Sequence, residues 1–180
     1  YHALMARQGM TPKAAQTRVR ANTTVLASML LHRGDADAML CGTFGSYSKH
    51  LLLVEEIIGR KKDSPVVGAL TVLILPQGTI FLTDTHVNSE PTAEQLCELG
   101  KLAADEIRRF GIQPKAAFLS HSNFGSSNTP SAKKVREATA MFMERYPDIE
   151  ADGEMHADAA LDEKVRLDLL PDSKLTGTAN

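Results

Sequence analysis

Twice in this chain a short apolar run ends in a polar loop, and the loop ends in a helix-start signal. "TIFLTDT" (79–85) leads to Thr92-Ala-Glu-Gln95, a capping box in which each end satisfies a backbone N–H of the other. "KAAFLSHS" (115–122) leads through a Ser/Asn-rich loop to Thr129-Pro130, an N-cap followed by proline at the first helical position. Strands that alternate with helices bury their apolar faces by stacking helices on a sheet, so the chain is restricted to a layered α/β domain.

The flanking elements extend the pattern. Arg108 and Arg109 complement the dipole at the end of the helix opened by Thr92, and Gly111 stops it. The helix opened by Thr129 is predicted to run through Ala132, Val135, Ala138 and Met141 to Tyr146. "IEADGEM" (149–155) reads as a last short strand and "DAALDEKVRLDLL" (158–170) as one final helix. Upstream, Thr11-Pro12 opens a helix predicted to continue through Val19, Val25 and Met29 to near Gly34. "DAMLCGT" (37–43) predicts a buried strand, and "HLLLVEEIIG" (50–59) a helix stopped by Gly59. "VGALTVLILP" (67–76) and "TIFLTDT" flank Gln77-Gly78 as a β-hairpin, which makes the sheet mixed. With 180 residues, 43% of them apolar, the chain suits one domain at roughly 100–200 residues per domain. It starts at Tyr1 and stops after turn residues at "LTGTAN", and is expected to be a fragment of a longer chain.

Charge and composition narrow the partners. A net charge of −2 lacks the basic face that a nucleic acid partner requires. No apolar run approaches the roughly 18 residues of a membrane helix, and no signal peptide opens the chain. Cys41 and Cys97 lie far apart in apolar patterns, which predicts buried free thiols in the reducing cytoplasm.

In open α/β sheets ligands sit beyond the carboxyl ends of strands. There the sequence places Thr43 and Phe44, Asp84 and Asn88, then Ser120, His121, Ser122 and Asn123, and finally Asp152, Glu154 and His156. The loop after Leu119 runs into a helix N-terminus, where unpaired N–H groups favour an anion. Gly125 permits close backbone approach, Ser126 and Ser127 add hydroxyl donors, and Lys133 and Lys134 add charge one turn later. Phosphate is the natural guest, although the G-x-x-x-x-G-K-[ST] spacing of a P-loop is absent. His86, His121 and His156 fall one per strand end without local ligand spacing, so they are expected to hydrogen bond in a polar rim rather than hold a metal. Asp84 and Asp152 are expected to accept N–H bonds from the turns they begin; the functional alternative is a general base. Ser120 and Ser122 flank His121 on a strand, where neighbours point to opposite faces, so no Ser–His nucleophile is expected.

The ordered stretches "GDADAMLCGT", "LPQGTIFLTDTHVNSEPTAEQL", "FGIQPKAAFLSHSNFGSSNTPSAKKVREA", "DGEMHADAAL" and "SKLTGTAN" resemble phosphate acetyltransferases from about Gly34 to Asn180. The variants "DTHVN", "SHSNFGSS" and "DGEMHADAAL" resemble more specifically the C-terminal, phosphotransacetylase-like region of bacterial NADP-dependent malic enzymes. The resemblance implies a three-layer αβα sandwich with a mixed, mostly parallel sheet, of isocitrate/isopropylmalate dehydrogenase type, and makes residues 1–180 a single subdomain of that fold.

In the transferases the thiol of coenzyme A attacks an acetyl carbonyl with help from an aspartate base and an arginine–serine pair. The resemblance puts those residues beyond Asn180. A further family arginine and its following proline align with Leu52 and Leu53 in "SYSKHLLLVEEIIG". Losing such a charge-assisted contact removes about 1.5–3 kcal/mol of interaction, which implies lost catalysis. What the resemblance then implies is an acetyl-CoA-sensing regulatory domain, the alternative being an active phosphate acetyltransferase. It implies no cofactor in this domain, with NADP and a divalent metal confined to the malic enzyme region of the parent chain. The implied partners are acetyl-CoA, the malic enzyme catalytic domain in the same chain, and further copies in a homo-oligomer. The 50–59 helix is a candidate oligomer contact, although burial within the fold is the simpler expectation.

Overall fold

The computed structural model describes residues 1–62 and 64–180, which fall into two units, Tyr1–Ser64 and Pro65–Asn180. The first unit is helical: α1 (His2–Met5), a 3-10 turn (Ala6–Gln8), α2 (Pro12–Ala21), α3 (Thr23–His32) and α4 (Tyr47–Ile57). Thr11 caps α2 ahead of Pro12 as expected. The single helix expected up to Gly34 is broken at Asn22, whose extended backbone lets its side chain accept from the Val25 N–H at 3.1 Å. An Asn that caps its own downstream helix competes with the helix it interrupts. Met5, Ala15, Val25 and Ile57 are buried.

The strand expected at 37–43 does not form: Leu40 is fully exposed and Cys41 is exposed, whereas Cys97 is buried as expected. A strand needs a ladder partner for its backbone, and among the described residues this unit contains only helices. Helix α4 buries only Ile57 fully, so the expected burial of the 50–59 helix is not found.

The second unit carries the strands. β1 (Thr71–Leu75) and β2 (Gly78–Leu82) form an antiparallel hairpin, while β3 (Lys115–Leu119) and β4 (Glu150–Met155) pair in parallel. The expected single mixed sheet is therefore present as two separate pairs among the described residues. Between them lies Asn180, whose carbonyl accepts from the Phe81 N–H at 2.7 Å and whose N–H donates to the Lys115 carbonyl at 3.1 Å.

Helix α5 (Ala93–Arg109) opens with the Thr92/Gln95 capping box and closes at Gly111, and α6 (Pro130–Arg145) opens on Thr129. Ala116 and Phe118 pack with Cys97, Ala104 and Phe142 of α5 and α6, while Ala117 packs with Ala159, Ala160 and Leu175. Alternate strand residues point to opposite faces, so β3 is covered on both. The Phe142 ring lies 5.2 Å from both Phe118 and Tyr146, and Gly100 admits this cluster, since a Cβ there would stand 3.0 Å from Phe142. The helix expected over 158–170 is two helices, α7 (Ala157–Leu161) and α8 (Glu163–Leu169). Asp162 breaks them by accepting from the Lys164 and Val165 N–H groups.

The β3–β4 register slips at its end: Phe118 faces Gly153, but Leu119 faces Met155, which leaves Glu154 unpaired as a bulge. Bulges re-aim side chains. This one requires glycine at 153, where φ is +149° and a Cβ would lie 2.7 Å from the Phe118 carbonyl oxygen. Gly153→Ala is expected to cost about 1–3 kcal/mol in urea unfolding, because the backbone conformation and the contact both resist a methyl group.

Candidate functional site

The bulge turns the Glu154 carboxylate beneath the loop that follows β3. Its Oε1 accepts from the Ser122 hydroxyl at 2.7 Å, the Gly125 N–H at 2.9 Å and Arg136 Nη2 at 3.0 Å. Its Oε2 accepts from Arg136 Nε at 2.9 Å. Arg136 also donates to the Ser127 carbonyl at 3.0 Å, and the Phe124 N–H to the Glu154 carbonyl at 2.7 Å. Ser122 and Glu154 are both fully buried. Burial alone would raise the Glu154 pKa, but the Arg136 guanidinium, the Ser122 hydroxyl and the Gly125 N–H outweigh it and hold it at about 2. The loop is thus built to enclose an anion, and the anion enclosed is the protein's own carboxylate.

The remaining loop residues close on one another. The Asn123 N–H donates to the Ser126 hydroxyl at 3.0 Å, and Asn123 Oδ1 accepts from the His156 N–H at 2.7 Å. Phe124 and Gly125 carry positive φ values of 46° and 91°. His121 Nε2 lies 2.9 Å from the Thr129 hydroxyl, which also caps α6. Gly125, Ser126, Asn128 and Thr129 form an exposed rim without a carboxylate.

A second acidic anchor ends β2. Asp84 Oδ1 accepts from the Ala69 N–H at 2.8 Å, and Oδ2 from the Asn88 N–H and side-chain amide, both at 2.6 Å. Burial again opposes ionisation, and the donors from Ala69, Asn88 and His86 prevail, so the pKa lies below the usual carboxylate range. Asp152, within β4, accepts from the Ser173 hydroxyl and the Lys174 N–H, both at 2.7 Å. Lys134 of α6 lies 3.7 Å from the exposed Glu90, in the segment between Asp84 and α5.

The whole chain, residues 1–180, matches the family model for phosphate acetyl/butaryl transferases. The chain belongs to this family. Its transferase-family kin include the NADP-dependent malic enzyme of Haemophilus influenzae, 54% identical over all of this chain and 24% of that protein. The phosphate acetyltransferase of the same organism is 34% identical over 96% of this chain and 24% of its own length. A solved phosphotransacetylase from Streptococcus pyogenes superposes with a TM-score of 0.85 at 30% identity, over 98% of this chain and 54% of that one. Over its whole length the chain is similar to part of these malic enzymes, and it spans about a quarter of the length of these curated relatives.

Of the residues singled out from the sequence, this family member brings Ser122, Asn123, Gly125, Ser126 and Ser127 together around Glu154, and Asp84 together with Asn88. Ser120 is tied by its N–H to the Met155 carbonyl at 2.9 Å. Thr43 and Phe44 belong to the other unit, where the Phe44 carbonyl lies 2.6 Å from His50 Nε2 and the Phe44 ring is 86% exposed. Leu52 is 64% exposed. Among the described residues no group of three or more His, Cys, Asp and Glu is placed to hold a metal ion.

The sequence drew attention to Lys133 and Lys134, and Arg136 went unremarked. A signal existed. Arg136 lies four residues after Ala132 and three before Thr139, both buried, so it shares their helix face, where a charge needs a partner.

Proposed function

We propose that this chain is the acetyl-CoA-sensing regulatory part of a malic enzyme and transfers no acetyl group itself. The parent would oxidise and decarboxylate malate to pyruvate, with NADP and a divalent metal held elsewhere in its chain, as a homo-oligomer. The same kinship supports a three-layer αβα sandwich of isocitrate/isopropylmalate dehydrogenase type for the longer protein.

The observation that carries this is the state of Ser122. Its hydroxyl is buried and given to a carboxylate held at about 2, so this loop supplies neither a free hydroxyl nor a base that could take the proton of the coenzyme A thiol near neutral pH. What is left to ligands is an exposed, uncharged rim of side chains, the Asn128 amide and the Ser126 and Thr129 hydroxyls, beside the exposed Lys133. Such a rim suits the phosphate groups of acetyl-CoA, and differential binding to one state of the parent would pass the signal to the malate site.

Asn128→Asp in the parent enzyme places a carboxylate on this rim with almost no change of shape. It is expected to raise the acetyl-CoA concentration for half-inhibition of malate oxidation several-fold. Steady-state assays at increasing acetyl-CoA check this, and an unchanged inhibition curve would remove the rim from the effector site. The 34% identity to a phosphate acetyltransferase keeps an active transferase as the second reading, distinguished by whether the parent makes acetyl-CoA from acetyl phosphate and coenzyme A.

A further inference from the structure

The turn that leads into α4 hangs on one hydrogen bond. Gly42, Thr43, Phe44 and Gly45 are all exposed and lie outside any helix or strand. Among the described residues they make a single hydrogen bond, from His50 Nε2 to the Phe44 carbonyl at 2.6 Å. A carbonyl only accepts, so Nε2 carries a proton. Nδ1, the other ring nitrogen, lies 2.8 Å from the Thr24 hydroxyl, which donates to it when the ring is neutral. Thr24 belongs to α3 and is buried, so the imidazole of α4 is held from a neighbouring helix as well as from its own. The turn is shaped to meet it. Gly42 and Gly45 carry φ values of +114° and +96°, where glycine is favoured, and they bracket Thr43 and Phe44 as two swivels. A Cβ on Gly45 would stand 3.3 Å from His50 Nε2, so glycine also lets the ring approach. The Phe44 ring projects into solvent, and its burial therefore does little to hold the turn. Tyr47, His50, Leu51 and Val54 follow the spacing of one helix face, and with Cys41 and Gly42 they line a cavity of about 350 Å³.

We propose that residues 42–45 are a hinged flap and that His50, with its proton on Nε2, is the latch that holds the flap against α4. Opening requires the loss of one hydrogen bond and rotation at two glycines, and no helix has to move. One hydrogen bond holds such a flap only marginally, so both states are accessible, and a group that competes for the Nε2 proton releases it. Cys41 and Gly42 form the loop wall of the cavity, so an open flap widens it and a latched one fixes its shape. His50 is thus a positioning residue: it bonds the Phe44 backbone, not a reacting group. The latch lies wholly within the first unit and is independent of whether the region binds acetyl-CoA.

Nuclear magnetic resonance of the imidazole nitrogens in the 180-residue protein tests the latch without any substitution. The neutral His50 ring should be locked as the Nε2–H tautomer, and its Nε2 proton should be visible, because a hydrogen-bonded N–H exchanges slowly with water. An Nδ1–H tautomer, or an Nε2 proton lost to fast exchange, overturns the proposal. Chymotrypsin supplies an independent readout, since cleavage after Phe44 requires the flap to leave α4 and its rate follows the population of the open state. His50→Phe keeps a ring and removes the donor. It should be cut after Phe44 about tenfold faster than wild type, the effect of one lost hydrogen bond. His50→Gln places an amide N–H near the position of Nε2 and should bring the rate back towards that of wild type. Equal rates in wild type and His50→Phe contradict the latch, as does a His50→Gln rate that matches His50→Phe. The ring proton of the wild type decides the matter by itself if His50→Phe fails to fold.

Discussion

Glu154→Ala is expected to lower the free energy of unfolding by about 3–5 kcal/mol, among the largest effects of any single substitution in this chain. The carboxylate is fully buried and accepts four hydrogen bonds, two of them from Arg136. Removing it takes the acceptor from the Gly125 N–H and the Arg136 Nε and leaves the buried Ser122 hydroxyl only its longer contact to Ser126 at 3.3 Å, so the cost is that of several donors losing one shared acceptor rather than of one lost contact. The loop should loosen with it, because Ser122, Gly125 and Arg136 have no other common partner.

The same group sets a pH signature. Its pKa is depressed from 4.5 to about 2 on folding. Its contribution is therefore present in full above the unfolded value and is lost as pH falls through the folded one. Between pH 4.5 and 2 the loss amounts to about 3 kcal/mol. Glu154→Gln cannot titrate, so the stability gap between wild type and this variant should narrow across that window in urea unfolding followed by circular dichroism. A gap constant from pH 6 to 2 would show that the carboxylate is not held by these donors.

Arg166→Ala is expected to cost a similar 3–5 kcal/mol. Arg166 is a fully buried side chain of α8 that donates to the carbonyls of Ala159 at 2.8 Å, Leu175 at 3.0 Å and Gly177 at 2.5 Å. Its Nε has no hydrogen-bond partner among the described residues. One planar fork thus straps residues 175–177 against α7, and through them it fixes Asn180 between β2 and β3. Arg166→Lys retains the charge but not the fork and should recover less than half of the loss. Denaturant unfolding measures the cost. Limited proteolysis should show cleavage in 170–180 at protease concentrations that leave the wild type intact, and an uncut variant would mean that the strap is held elsewhere.

The elements that were legible from the sequence carry local, self-contained signals. Thr92 and Gln95 satisfy each other without help from the rest of the fold, and Thr129-Pro130 starts a helix wherever it is placed. The failures lie where local propensity met a tertiary requirement. "AMLC" has the composition of a strand but no neighbouring strand to pair with, so Leu40 and Cys41 stay exposed. Asn22 and Asp162 sit inside helical patterns and break them by capping the next turn, a competition that periodicity alone does not register.

The site was half legible. The Ser/Asn-rich loop reads as a place for an anion, and Asp84 accepts N–H bonds from the turn it begins, whereas Asp152 begins no turn: it lies within β4 and accepts from Ser173 and Lys174. The loop's innermost donors face inward because of a bulge at Glu154, which arises from the register between strands about thirty residues apart and leaves no local trace except Gly153.

The central claim is binding without turnover. It is tested most directly by titrating the longer malic-enzyme-type parent with acetyl-CoA in a calorimeter while assaying the same preparation for acetyl-CoA formation from acetyl phosphate and coenzyme A. The account predicts saturable heat, malate oxidation that falls with occupancy, and no transferase activity above the protein-free blank. Sustained acetyl transfer, or no binding at concentrations that inhibit malate oxidation, would contradict it.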